Sequence, residues 1–178
     1  MKKLNLGCGT DIRSGWVNMD CANLPGVDVI HDANSVPYPF ENDCFDEILA
    51  QDVLEHIDLC KVMEELFRIM RKGGVLTIRV PHFTSRNNYI DPTHKNRFSA
   101  FTFEFFVRNG FFKRDYYFSN LFDAVVSTKI TFAKHPVFFY NYFVEFLVNR
   151  SKFLKNYYES TFLSRLFPAE NILVSLRK

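Results

Sequence analysis

The sequence predicts a single α/β domain built on a mostly parallel sheet. Its first eighty residues contain short apolar runs, each ending at an acidic or glycine-rich turn. An amphipathic helix separates two of these runs, as crossovers between parallel strands require. The length, 178 residues, suits one domain with a sizeable core. Charge divides the chain. Residues 1–60 carry three basic and eleven acidic side chains, a net of −8, whereas residues 61–178 carry nineteen and nine, a net of +10. Of thirty aromatic residues, twenty-five follow Val80. The composition, 47% hydrophobic and 24% charged, excludes a disordered or fibrous chain.

The elements follow in order. Lys3–Leu6 is a strand running into Gly7-Cys8-Gly9. Trp16–Met19 ends at Asp20, Asp28–His31 at Asp32, and Phe45–Ala50 at Gln51-Asp52. Asp58 then caps a helix whose Leu59, Val62, Met63, Leu66 and Met70 recur at helical spacing. Glu64, Glu65, Arg68 and Arg71 mostly face away from that stripe, and Lys72 with Gly73-Gly74 is expected to close it. Val75–Val80 is a buried strand stopped by Pro81. Ala100–Arg108, with Ser99 as cap and Asn109-Gly110 as stop, reads as a helix. Ala124–Phe132 and Ile172–Arg177 alternate as strands, joined by a connection whose stretch Val137–Phe167 is helical and aromatic. The domain thus divides into 1–81, 82–132, 133–170 and 171–178.

Several functional classes fall away. The start, MKKLNLGC, has only Leu4 and Leu6 before Gly7, too little for an export segment. The apolar run from Pro136 to Val148 is too short to span a bilayer and contains Asn141 and Glu145. Cys8, Cys21, Cys44 and Cys60 form no CxxC pair and read as reduced thiols of a cytoplasmic protein.

The turn Gly7-Cys8-Gly9 lets backbone approach a ligand closely. A dinucleotide fingerprint would need glycine where Ile12 stands, and Thr10–Trp16 leaves little room for a phosphate-binding helix. An NAD enzyme is therefore a distant alternative. Instead, LNLGCG at 4–9, VNMD at 17–20, VIHDA at 29–33, FDEILAQDVLEHI at 45–57 and RIMRKGGVLTIRVP at 68–81 stand in one order. That set resembles class I S-adenosylmethionine-dependent methyltransferases, particularly the small methyltransferase type 11-like group.

The resemblance implies a Rossmann-like sheet, mostly parallel with an antiparallel last strand, its first crossover helix short or absent. It also implies S-adenosylmethionine as cofactor. Gly7, Cys8 and Gly9 would pass under the methionine portion, Asp20 would accept from the ribose diol, and Asp32 with Ala33 would meet the adenine. Gln51, Asp52 and His56 would border the methionine end. Asn5 occupies a position where the family usually has an acid near the cofactor's amino group, and Asp11 replaces a third glycine.

The loop His82–Arg97 follows the fifth strand, at the sheet edge where open α/β folds bind ligands. His82 or His94 could act as base toward a hydroxyl acceptor, with Asp91 beside them; equally, Asp91-Pro92-Thr93-His94 could be only a turn. A zinc site from His82, Asp91 and His94 lacks cysteine partners and a recognised spacing, so no metal is expected. In the back half, Phe139, Phe143, Phe146 and Phe153 read first as core. A lipid-facing or dimer surface over 137–167, peripheral to the membrane, comes next. There is no strong nucleic-acid signal. The expected activity is methyl transfer to an oxygen of a small molecule or a glycan or lipid intermediate. A non-catalytic binding or scaffolding module is the rival.

Overall fold

The structure, a computed structural model, describes residues 1–114 and 116–178. Seven strands form one sheet in the order β3-β2-β1-β4-β5-β7-β6. They are β1 (Lys3–Leu6), β2 (Val17–Asp20), β3 (Val29–Ile30), β4 (Phe45–Gln51), β5 (Met70–Pro81), β6 (Ala124–Thr131) and β7 (Asn171–Arg177). The pairs among β1 to β5 are parallel, while β7 runs antiparallel to both β5 and β6. One strand alone is reversed.

The register explains what holds the sheet. Val17, Leu4, Ile48, Leu76 and Leu176 lie opposite one another across five strands, and Met19, Leu6, Ala50, Ile78 and Val174 form the next row. Nearly all are buried in the main core. The other face carries Asn18, Asn5, Leu49, Thr77 and Ser175 in one row. It is a polar face. No helix lies between β1 and β2. Instead, the segment from Gly7 to Trp16 sits on that face through buried Asn5 and Asn18, with Asn5 Nδ2 donating to the Asp11 carbonyl at 2.7 Å and Arg13 N–H donating to Asn18 Oδ1 at 2.9 Å.

Helix α1 (Leu59–Ile69) has Asp58 as its N-cap, and Val62, Met63, Leu66 and Ile69 enter the core. Its end differs from expectation. The chain turns into β5 at Met70, which pairs with Phe45, and Gly73 lies beyond in a protrusion before Val75 rejoins the ladder. The pull of Met70 into the sheet ends the helix four residues before the glycines.

Glu65 also departs from the expected outward face. It is buried, and its carboxylate accepts from Tyr38 N–H at 2.6 Å and from Arg68 at 2.6 and 2.8 Å. Arg68 reaches on to Asn42 Oδ1 and the Phe40 carbonyl. This pair fastens the helix-free crossover 31–44 to α1. Burial raises the Glu65 pKa, but the Arg68 and Tyr38 hydrogen bonds outweigh it and the net shift is downward.

Past β5 lie α2 (Asn87–Ile90), a 3₁₀ helix at Thr102–Phe106, and then α3 (Tyr140–Val148), α4 (Lys152–Ser160) and α5 (Leu163–Leu166) in the final connection. The helix expected over Ala100–Arg108 is only that 3₁₀ turn. Ala100, Phe103 and Phe106 are buried at a spacing of three, the repeat of a 3₁₀ helix. Phe139, Phe143, Phe146 and Phe153 do not form core: each is at least 60% exposed. The second core is made by Ala100, Phe101, Ile130, Phe132, Val148, Tyr158 and Ala169. Those helices present other residues to β6, whose Ile130 N–H and carbonyl both bond the Asn149 side chain. Among the described residues, no helix is long and apolar enough to cross a membrane.

Because the Glu65 pKa is lowered, its stabilisation is present above the unfolded value near 4.5 and fades as pH falls below it. Arg68→Met should therefore cost about 2 kcal/mol at pH 7 by stranding a buried carboxylate. Urea melts at pH 7 and pH 4 should show that deficit shrinking on acidification.

Candidate active site

The carboxyl ends of β1, β2 and β4 open onto a cleft of about 300 Å³ lined by Gly7, Met19, Asp20, Asp32, Ala33 and Asp52, among others. Gly7 has φ +63, and a Cβ there would stand 2.6 Å from Val53, so glycine is required for both conformation and space. Gly9 has φ +47 with open space on its Cβ side. Asp20 fixes this turn: its Oδ2 accepts from Gly9 N–H at 2.8 Å and its Oδ1 from Ala22 N–H at 2.9 Å. Asp32 Oδ1 accepts from Asn34 N–H at 2.9 Å, and the Asn34 side chain takes Asp58 N–H. The loop bearing Asp32 and Ala33 is thus tied to the start of α1.

A second, larger cavity of about 560 Å³ adjoins the first, and Asp52 and His56 line both. Its other walls include Glu55, Arg79, Asn87, Asp91, His94 and Asn171. Asp52 has φ +52, a left-handed conformation that aspartate tolerates better than most residues. In that conformation its N–H donates to the Arg79 carbonyl and its carboxylate pairs with the Arg79 guanidinium.

Thr93 donates its hydroxyl to Asp91 Oδ1 at 2.6 Å and lies 2.8 Å from His56 Nδ1. With its proton directed to Asp91, the Thr93 oxygen can only accept from His56, so Nδ1 carries hydrogen and Nε2 is the nitrogen that bears the lone pair in the neutral ring. The His94 ring meets His56 edge-on, centroids 4.6 Å apart. Burial and the neighbouring His56 lower the His94 pKa, opposed by Asp91. Glu55 is 1% exposed, and burial pushes its carboxyl up to about 7.

The residues singled out in the sequence divide. Gly7, Asp20, Asp32, Ala33, Asp52 and His56 line the first cleft; Asp91 and His94 line the second. Asn5 lies only 2% exposed beneath the turn, holding it from behind. Cys8 is buried, its N–H bonded to the Met19 carbonyl, and burial raises its thiol pKa. Gly9 and Gln51 sit beside the cleft; Gln51 accepts from Arg13 at 3.0 Å.

His82 is corrected outright. It is 0% exposed; its Nδ1 accepts from Thr84 N–H, and its Nε2 faces Glu159 Oε1 at 3.1 Å. Glu159 in turn accepts from Ser99 and Ala100. His82 fastens the end of β5 to α4 and is closed to any substrate. The sequence motifs contain Glu55 and Arg79 but assign neither a role. The only signal for Glu55 was a carboxylate between an apolar residue and a histidine just past a strand end.

Residues 4–78 match the model of a family described as a methyltransferase domain. That match spans the strands and turns that form the first cleft. No curated protein matches the sequence. Among solved structures, a SAM-dependent methyltransferase from Archaeoglobus fulgidus is similar at 18% identity and TM-score 0.64, covering 99% of this chain and 86% of that one. A possible histamine N-methyltransferase from Thermotoga maritima is similar at 16% identity and TM-score 0.56, covering 99% and 81%. A Haemonchus contortus phosphoethanolamine N-methyltransferase, solved with S-adenosylhomocysteine, reaches 16% and 0.54, covering all of this chain but 49% of its own. The fold is the Rossmann-like class I methyltransferase fold.

The raised Glu55 pKa has the opposite linkage sign to Glu65. Its folded carboxyl holds a proton that the unfolded chain releases near 4.5, so stability falls as pH rises from there through about 7. In chelator-treated protein, wild type should lose on the order of 3 kcal/mol between pH 5 and pH 8 from this group. Glu55→Gln should flatten that slope, read by urea melts across the range.

Proposed function

We propose that the methyltransferase transfers the sulfonium methyl of S-adenosylmethionine to an oxygen of a polar acceptor seated in the second cavity. The observation that carries this reading is the junction: two cavities of unlike lining meet at Asp52 and His56. The cofactor lies along the first cleft. Asp20 has lone pairs beyond those used on Gly9 and Ala22 for the ribose diol, Asp32 and the Ala33 backbone take the adenine, and the Gly7–Gly9 backbone supports the methionine portion.

The reaction is an in-line displacement. An acceptor oxygen attacks the methyl carbon, the carbon–sulfur bond breaks, and S-adenosylhomocysteine leaves neutral at sulfur. Alignment is the main contribution the protein makes. The acceptor's hydroxyl proton has to leave, and the cluster of Glu55, His56 and His94 stands where that proton is released. Asp91 acts through Thr93 as a positioning residue for His56. The polar second cavity, walled by Arg79, Asn87, Asp91 and Asn171, suits a hydroxyl-rich acceptor such as a sugar.

The exposed aromatic face of α3 and α4 favours delivery of that acceptor on a lipid. Phe143 and Phe146 are exposed, with Arg150 over the Phe146 ring and Lys134 over the ring of exposed Tyr142, the pairing of apolar and cationic groups that suits a bilayer interface.

Calorimetric titration should give one site per chain for S-adenosylmethionine and S-adenosylhomocysteine and none for NAD. Asp32→Ala should weaken both by roughly ten- to a hundredfold, the loss of a charged hydrogen bond. Absence of either sulfur ligand would remove the assignment. Separately, Phe143→Ser with Phe146→Ser should cut co-sedimentation with anionic phospholipid vesicles severalfold. Unchanged sedimentation, with dimer loss on gel filtration instead, would make this face a contact between copies.

A further inference from the structure

Glu55, His56 and His94 each offer one ligand-type atom, and the three lie within 4.8 Å of one another. Among the described residues no other set of three such groups converges in this way. The residues come from two segments: Glu55 and His56 from the turn after β4, and His94 from the loop after β5. That loop is clamped to the turn at the same place, with Lys95 and Asn96 N–H groups donating to the Glu55 carbonyl and the Asn96 side chain to the Leu54 and Ile57 carbonyls.

Two of the three residues have buried atoms with no hydrogen-bond partner, Glu55 Oε2 and His94 Nδ1. An unpartnered buried polar atom costs free energy unless something meets it. The third residue, His56, has its Nδ1 hydrogen engaged by Thr93, which leaves Nε2 as a lone-pair donor. Hydrogen-bonding the far nitrogen in this way is how metal-bound histidines are oriented. Asp91 anchors both imidazoles, through Thr93 to His56 and at 3.9 Å from His94 Nε2. The cluster opens onto the second cavity, leaving room for further ligands from water or acceptor.

We propose that Glu55, His56 and His94 form a binding site for one divalent transition-metal cation of the zinc or manganese type. Two imidazoles and a carboxylate with open positions suit such ions better than calcium or magnesium, which favour all-oxygen shells. The cation answers both unpartnered atoms at once. Its role in methyl transfer rests on the acceptor cavity proposed above: a hydroxyl bound to the cation loses its proton to water, and the resulting alkoxide attacks the methyl carbon. The metal acts as Lewis acid only.

The test separates the site from that role. Chelator-treated protein is titrated with zinc, manganese and magnesium by calorimetry, and with cobalt by visible absorption. One zinc or manganese per chain is expected, magnesium at least about tenfold weaker, and cobalt giving the d–d bands of a histidine–carboxylate site. His94→Ala and Glu55→Gln should each abolish stoichiometric binding. Thr93→Ala, which touches no ligand atom directly, should weaken it by about ten- to a hundredfold. Circular dichroism and S-adenosylhomocysteine titration on each variant verify the fold and the cofactor cleft independently of the metal. Binding that survives His94→Ala, or no stoichiometric binding by the wild type, overturns the proposal. In the latter case the cofactor assignment would still stand.

Discussion

A parallel sheet is ordinarily buried on both faces, because its crossovers lay helices on each side, yet here only one face is dry. Leu4, Leu6, Ile48, Ala50, Leu76 and Ile78 make that face, and the register that aligns them brings the carboxyl ends of β1, β2 and β4 level. The opposite row, Asn18–Asn5–Leu49–Thr77–Ser175, would be costly under an apolar helix. The short first crossover meets it with backbone groups instead, which is why buried asparagines stand where larger apolar side chains would be expected. The cofactor turn is therefore held from behind by amide hydrogen bonds.

The same economy of helices governs the next crossover. Residues 31–44 have no helix to stiffen them, and the buried Glu65 carboxylate, shared by Tyr38 N–H and Arg68, performs that task. Asp32 and Ala33 owe their position to this tie and to the bond from Asp58 N–H to Asn34. A carboxylate drawn from the polar side of a helical wheel thus sets the wall of the cleft. Periodicity alone assigns such a residue to solvent, because the wheel contains no information about a loop arriving from outside.

That limit explains what was and was not legible in the sequence. Strands ending at Asp20, Asp32 and Asp52 could be read because local pattern and chain order both point to them. His82 and His94 looked equivalent, twelve residues apart in one polar loop. They separate because β5 continues to Pro81 and carries His82 under α4, where Glu159 meets it, while the loop beyond α2 folds back to place His94 against His56. The phenylalanines of α3 and α4 misled for a related reason. Their spacing is helical, but the face that docks on β6 is chosen by Asn149 and Val148, leaving Phe143 and Phe146 outside.

Much of the surplus positive charge of the back half is paired locally. Lys129 and Lys134 both pair with Glu145, Lys152 with Glu104, and Lys178 with Asp43. Arg165 lies over Phe83 and Arg150 over Phe146. Cations committed to carboxylates contribute little to a long-range field, so the net charge overstates the attraction for a polyanion such as nucleic acid. What remains outward is aromatic surface with a few cations along it, which suits an interface of mixed polarity better than a phosphate backbone. The acidic front, by contrast, concentrates Asp20, Asp32, Asp52 and Glu55 around the two cavities. A cationic methyl donor and, on the proposal above, a divalent cation are the charges such a wall attracts.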